Sequence, residues 1–295
     1  MNKLRILRVP ISVSTVTIAA VLIVGPALAQ LPISSQEITS GRPLSEAAML
    51  LEGRFAKPVT YEDPIWTWGG DASPSPIARG LYPRDLKLSL PAELFTVQKA
   101  ELNLDLIAKI VDAYHHDTDG PRFRVLSSRW GFHIVPIQAR DSTGRWVSVR
   151  ALLDTQIYIP VENRTPSMHF VQICNVLTTA SGIRVIPGAR WLDQAFEPNG
   201  IIPPRTRQLT QQEEQQISFI WGANTNAREA LISLIELSGT TLTWDVRCNV
   251  EPSDQTCVLN LNPIQIPLIT PDGKSVTKTI YGDRRKKEPI RLPEN

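Results

Sequence analysis

Beyond its first 29 residues, this 295-residue sequence has no apolar stretch near the roughly 20 residues that a membrane-spanning helix takes. It contains no Gly-x-Ser-x-Gly, no Cys–His pairing at a recognisable spacing and no Gly-rich phosphate loop. The familiar patterns of serine and cysteine nucleophiles and of nucleotide cradles are therefore missing, and nothing names a cofactor. No basic stripe interleaved with aromatics is present, which argues against nucleic acid as a partner. Cysteine is scarce, at three residues.

What is there begins at the N-terminus. Lys3, Arg5 and Arg8 make a short basic head, an apolar run covers Ile11 to Val24, and Pro26, Ala27 and Ala29 follow. This is the three-part pattern of a signal peptide over residues 1–29, cleaved between Ala29 and Gln30. The run is too short to stay as an anchor, and Gln30 in place of Cys argues against a lipid-anchored product. The expectation is a periplasmic or extracellular protein with no transmembrane segment after cleavage. Loss of the three leader cations changes 31 basic against 29 acidic residues to 28 against 29. The positive formal charge of the whole chain thus reports mostly the leader.

In an oxidising compartment cysteines can pair. Cys248 and Cys257 flank a turn-rich loop between two strand-like runs, and a disulfide across the neck of that hairpin is predicted. Cys174 stands alone in an apolar helix and reads as a small buried hydrophobe.

Along the chain one unit recurs: an amphipathic helix, a Gly or Pro break, then a strand. Leu44, Ala47, Ala48, Leu51 and Phe55 lie at helical spacing before Lys57-Pro58 and the strand-like Val59-Thr60-Tyr61. A second helix is predicted from about Val97 to His116, followed by strands over Arg122–Ser127 and Gly131–Ala139 and a hairpin partner over Trp146–Leu153. Two later copies match best. Each runs from a strand through a polar cap, Thr165-Pro166-Ser167 or Asn224-Thr225-Asn226, into a helix ending in Ser181-Gly182 or Ser238-Gly239. A Gly there takes the left-handed turn that sends the chain back along its own helix. The predicted class is α+β, with several small strand–helix–strand modules and antiparallel hairpins. Its divisions are a helix–strand unit at 30–63, a Pro-rich linker or loop at 64–92, an α+β domain at 93–196, a linker at 197–215, a C-terminal α+β module at 216–281 and a basic disordered tail at 282–295.

The order of strand, capped helix, Ser-Gly and strand at 156–187 and 216–262, and more loosely at 41–61, resembles the short N-terminal domains of secretins and TonB-dependent receptors, the STN domains. The resemblance implies an extracytoplasmic, non-enzymatic module that docks onto another protein, with strand addition as the mechanism.

A second resemblance leads elsewhere. Val149-Arg150-Ala151-Leu152-Leu153-Asp154-Thr155-Gln156 looks like the active-site strand of retropepsin-like aspartic proteases, and implies a hydrolase centred on Asp154. In that pattern a Gly follows Asp-Thr, whereas here Gln156 would obstruct the approach of a second loop. His116, Asp117 and Asp119 bring metal-ligating types together at a helix end, but the later acidic ligands of a calcium loop are missing.

Overall fold

The computed structural model describes residues 37–74, 81–91, 94, 101–188, 218–238, 241–251, 253–269 and 275–279. The leader with its Ala29–Gln30 junction, the 197–215 linker and the basic tail lie outside the described residues.

Among the described residues four helices carry the apolar stripes seen in the sequence: α1 (Pro43–Phe55), α2 (Leu104–Asp117), α3 (Pro166–Ser181) and α4 (Ala227–Ser238). Local chemistry sets their ends. Thr165 caps α3 with its hydroxyl on the Met168 N–H, and Asn226 Oδ1 accepts from Glu229 N–H at 2.9 Å. Gly182 closes α3 at φ 73. α2 begins only at Leu104 rather than near Val97, because Asn103 is extended and its side chain accepts from Leu106 N–H.

The strands are β1 (Glu37–Ser40), β2 (Val59–Glu62), β3 (Ala72–Pro74), β4 (Leu81–Pro83), β5 (Leu86–Ser89), β6 (Arg122–Ser127), β7 (Phe132–Arg140), β8 (Trp146–Ser148), β9 (Gln156–Arg164), β10 (Arg184–Pro187), β11 (Phe219–Asn226), β12 (Leu242–Cys248), β13 (Thr256–Pro263), β14 (Gln265–Ile269) and β15 (Ser275–Thr279). The class is α+β. Residues 64–92, read from sequence as a linker or loop, hold β3, β4 and β5. The hairpin partner expected over Trp146–Leu153 is shorter, since β8 stops at Ser148 and Leu152–Asp154 form a 3-10 turn.

One plan is built twice. In the first half, β1 and β5 form an antiparallel ribbon, β2 runs parallel to β7, and β6 pairs antiparallel with β7. In the second half, β9 and β11 form the ribbon, β10 runs parallel to β13, and β12 pairs antiparallel with β13. Each half sets its helices among a two-stranded ribbon and three sheet strands. The halves join where β2 lies parallel to β12, giving one sheet in the order β10-β13-β12-β2-β7-β6, with β8 beside β7. The sheet thus draws its strands from the 30–63, 93–196 and 216–281 segments alike.

Register places the two cores. Side chains paired across strands share a face, and Tyr61 lies opposite Asp245 while Glu62 lies opposite Val246. Tyr61 belongs to the first half's core with Leu51, Ile110 and Ile134; Val246 belongs to the second with Phe170, Leu234 and Leu259. The cores therefore sit on opposite faces of the sheet.

Buried charges staple the junction. Asp63 accepts from Arg42 Nε at 2.7 Å, from Cys248 N–H at 2.9 Å and from the Tyr61 hydroxyl at 2.9 Å. Glu62 accepts from Arg228 of α4 at 2.6 Å. Cys248 and Cys257 face each other in the β12–β13 register with their sulfurs 2.08 Å apart, as the hairpin reading required.

Candidate functional site

Asp154 is placed in the 3-10 turn rather than on a strand, where its carboxylate pairs with the Arg228 guanidinium. The same guanidinium holds the fully buried Glu62, whose second oxygen accepts from Leu153 N–H at 3.3 Å. Burial pushes the Glu62 carboxyl up, and Arg228 opposes the rise. An aspartic dyad needs two carboxylates facing each other across a water. Here the Arg228 guanidinium bridges Asp154 and Glu62, an ion triad, buried except at Asp154, that ties α4 to β2.

His116, Asp117 and Asp119 are not brought to one point. His116 Nδ1 sits 3.1 Å from Asp117, Asp117 also accepts from Ser89 N–H of β5, and Asp119 pairs with Arg84 at 2.6 Å and Arg140 at 3.2 Å. Among the described residues no three His, Cys, Asp or Glu side chains are grouped to hold a metal ion. Cys174 lies in the second core, and burial pushes its thiol up to about 12, which leaves little thiolate at neutral pH. The interior histidines are held by their neighbours. His133 is stacked on Trp244 and bonded to Thr60 and Ser128, and burial lowers it to about 3. His169 is held near Phe219 O at 3.1 Å, and burial lowers it too.

Backbone donors along the outer strands of the large sheet are taken at several points. On β10, Arg184 and Gly188 donate to β13 and its loop, Val185 N–H donates to Thr178 Oγ1 at 2.9 Å, and Pro187 has no N–H. The outer edge of β10 therefore lacks a free donor among the described residues. On β6, Phe123 N–H is taken by His115 Nε2 at 2.9 Å.

The β9–β11 ribbon is different. Its inner side buries Ile157, Ile159 and Trp221 in the second core. Its outer side leaves Tyr158, Val161 and Ile220 exposed by 65%, 72% and 60%. The register explains why three apolar residues face outward. Trp221 lies opposite Glu162 and Ala223 opposite Ile159, so Pro160 and Val161 share Gly222 as their partner. This bulge turns Val161 away from the side of Ile157 and Ile159. Gly222 is required there, because a Cβ would stand 2.9 Å from Ile159 O and Val161 Cα. Both strands pair only with each other among the described residues. From the end of β9 a groove of about 320 Å³ runs along α3, lined by Arg164, Met168, Val171 and Asn175. Sequence reasoning had marked β9 and β11 as strands of repeats; the outward set of residues was hidden because alternation alone assigns Val161 to the buried side. No protein-family model, curated protein or solved structure matches this chain.

Proposed function

We propose that this chain is a non-enzymatic docking module that acts outside the cytoplasm and binds a partner protein through the β9–β11 ribbon. The observation that carries the reading is the exposed apolar trio Tyr158, Val161 and Ile220 on a ribbon that, among the described residues, pairs with no third strand. Isolated exposed apolar residues are ordinary, but a cluster on a strand pair marks an interaction face. The equivalent ribbon of the first half turns Glu37, Thr39, Lys87 and Ser89 outward instead, closed by a Lys87–Glu37 ion pair at 2.7 Å. The occupant that fits is an extended segment of another protein: its backbone adds to a ribbon edge and its alternate apolar side chains cover the trio. The outer edge of β10, without a free donor among the described residues, favours such addition at the ribbon over that side of the large sheet. The pairing of Cys248 with Cys257 across the hairpin and the leader pattern both support an extracytoplasmic setting.

Site-specific photocrosslinking in the exporting cell tests this. A benzophenone side chain in place of Tyr158 should yield one discrete adduct, and the same group in place of Lys87 should not. Adding Val161→Asp and Ile220→Asp should remove the adduct while the melting temperature stays unchanged. Equal labelling from both ribbons, or an adduct indifferent to the two aspartates, sinks the proposal.

A further inference from the structure

On the first core's face, a cleft of about 410 Å³ opens between α1 and strands β12 and β13. It exists because the helices of the second half cover the opposite face, so alternate side chains of β12, Thr243, Asp245 and Arg247, lie on a side those helices do not reach. The volume falls within the ~300–1,000 Å³ of small-ligand sites.

The pairing of buried acids singles this cleft out. Among the described residues five carboxylates are buried: Glu52, Glu62, Asp63, Asp71 and Asp245. Four have a guanidinium partner, namely Arg228 for Glu62, Arg42 for Asp63, Arg140 for Asp71 and Arg247 for Asp245. Glu52, in the last turn of α1 and only 7% exposed, has no cation partner among the described residues. Its Oε1 accepts from Val59 N–H at 2.9 Å. Beside it Thr243, 5% exposed, lines the same cleft with its Oγ1 buried and making no aligned hydrogen bond. A buried carboxylate and a buried hydroxyl are both costly without partners. Asp245 is already satisfied by Arg247 and by Asn262 Nδ2 at 3.0 Å, so the unmet demand is that of Glu52 for a cation, with the Thr243 hydroxyl facing it without an aligned bond. Met49, half exposed at the mouth, and Ala48 and Pro263 supply an apolar wall.

We propose that the cleft binds a primary alkylammonium group, whose N–H donors meet Glu52 and the Thr243 hydroxyl while its carbon chain lies along Met49 and Pro263. An ammonium carries three donors and one positive charge on an apolar stem, which matches two acceptors, one missing cation and one apolar wall. A bare metal ion fits poorly, since no three ligating side chains are grouped there among the described residues. This site is on the opposite sheet face from the second core and does not depend on the ribbon reading.

The test is a titration of the full-length mature chain with n-butylammonium and with n-butanol, followed by the Thr243 methyl signal, which both variants below retain. Saturable shifts with the amine in roughly the millimolar range, the scale open to so small a ligand, and none with the alcohol are expected. Glu52→Gln keeps the acceptor for Val59 N–H and should weaken the amine at least about tenfold. Met49→Trp, which keeps the carboxyl but fills the mouth, should do the same. A tripeptide with central lysine and blocked termini distinguishes the sources: binding about tenfold tighter than butylammonium assigns the site to a protein side chain, and equal binding assigns it to a free amine. No saturable shift in the folded chain, or equal affinity in Glu52→Gln, overturns the proposal.

Discussion

In the first half of the molecule the ribbon β1–β5 faces water with Glu37, Thr39, Lys87 and Ser89; in the second half, at the same point of the same plan, β9–β11 turns out Tyr158, Val161 and Ile220. Pairing and helix placement agree between the halves, so the contrast is not one of fold. It lies in surface chemistry and in one bulge. The short strands of β1–β5 meet water with polar groups and an ion pair, whereas the longer strands of β9–β11 meet it with apolar side chains. The halves also differ in how they close their first helix. Gly182 ends α3 in the left-handed region, and Ala56 ends α1 in the same region at φ 56. Geometry is shared there, and the residue that makes it easy is not.

The largest test of this comparison removes what joins the halves. Arg228→Ala should cost about 3–5 kcal/mol, because Glu62 would stay buried without its cation and Asp154 would lose its partner. Denaturant unfolding measures it. If the halves are energetically separable, the variant should also lose two-state behaviour, with the second half melting first.

A second test uses pH and the first half's unpaired acid. Glu52 is raised by burial from 4.5 to about 7, opposed by the Thr243 hydroxyl and the Val59 N–H. Its folded form holds the proton more tightly than its unfolded form, so its contribution is present below pH 4.5 and is lost as pH rises through 7. The loss by pH 8 should approach about 3 kcal/mol in the free chain. Glu52→Gln should flatten that part of the stability profile. A saturating ammonium ligand should flatten it as well, and a slope indifferent to the substitution would assign the dependence to another group.

The smallest effect sharpens the contrast between helix ends. Ala56→Gly should stabilise by about 0.5–1 kcal/mol, the left-handed strain relieved less the extra freedom of the unfolded chain. Thermal melts of the two chains read the difference.

Much of this was legible residue by residue. The Thr165 and Asn226 caps, the Gly182 turn and the buried stripe of α1 follow from chemistry within a few positions. The repeats were clearest in the second half because Ser-Gly advertises the turn; in the first half Ala56 performs it silently, and β1 and β5 are only four residues each. The Pro-rich stretch at 64–92 concealed β5 because composition reports loops, while its pairing with β1 is a contact between distant segments. Asp154 could be picked out from its neighbours, yet its partner Arg228 stands 74 positions away.

What the sequence determined by itself was local: the helices and most strands, their caps, the α+β class, and the approach of Cys248 to Cys257 across nine positions. Only the tertiary structure decided that β2 runs beside β12, that the two cores occupy opposite faces, that Val161 faces outward, and that Glu52 lacks, among the described residues, the cation the other buried acids have. Periodicity records which side of an element is apolar. It does not record which distant strand covers that side, and partner choice between distant strands is where this molecule keeps both its ribbon and its cleft.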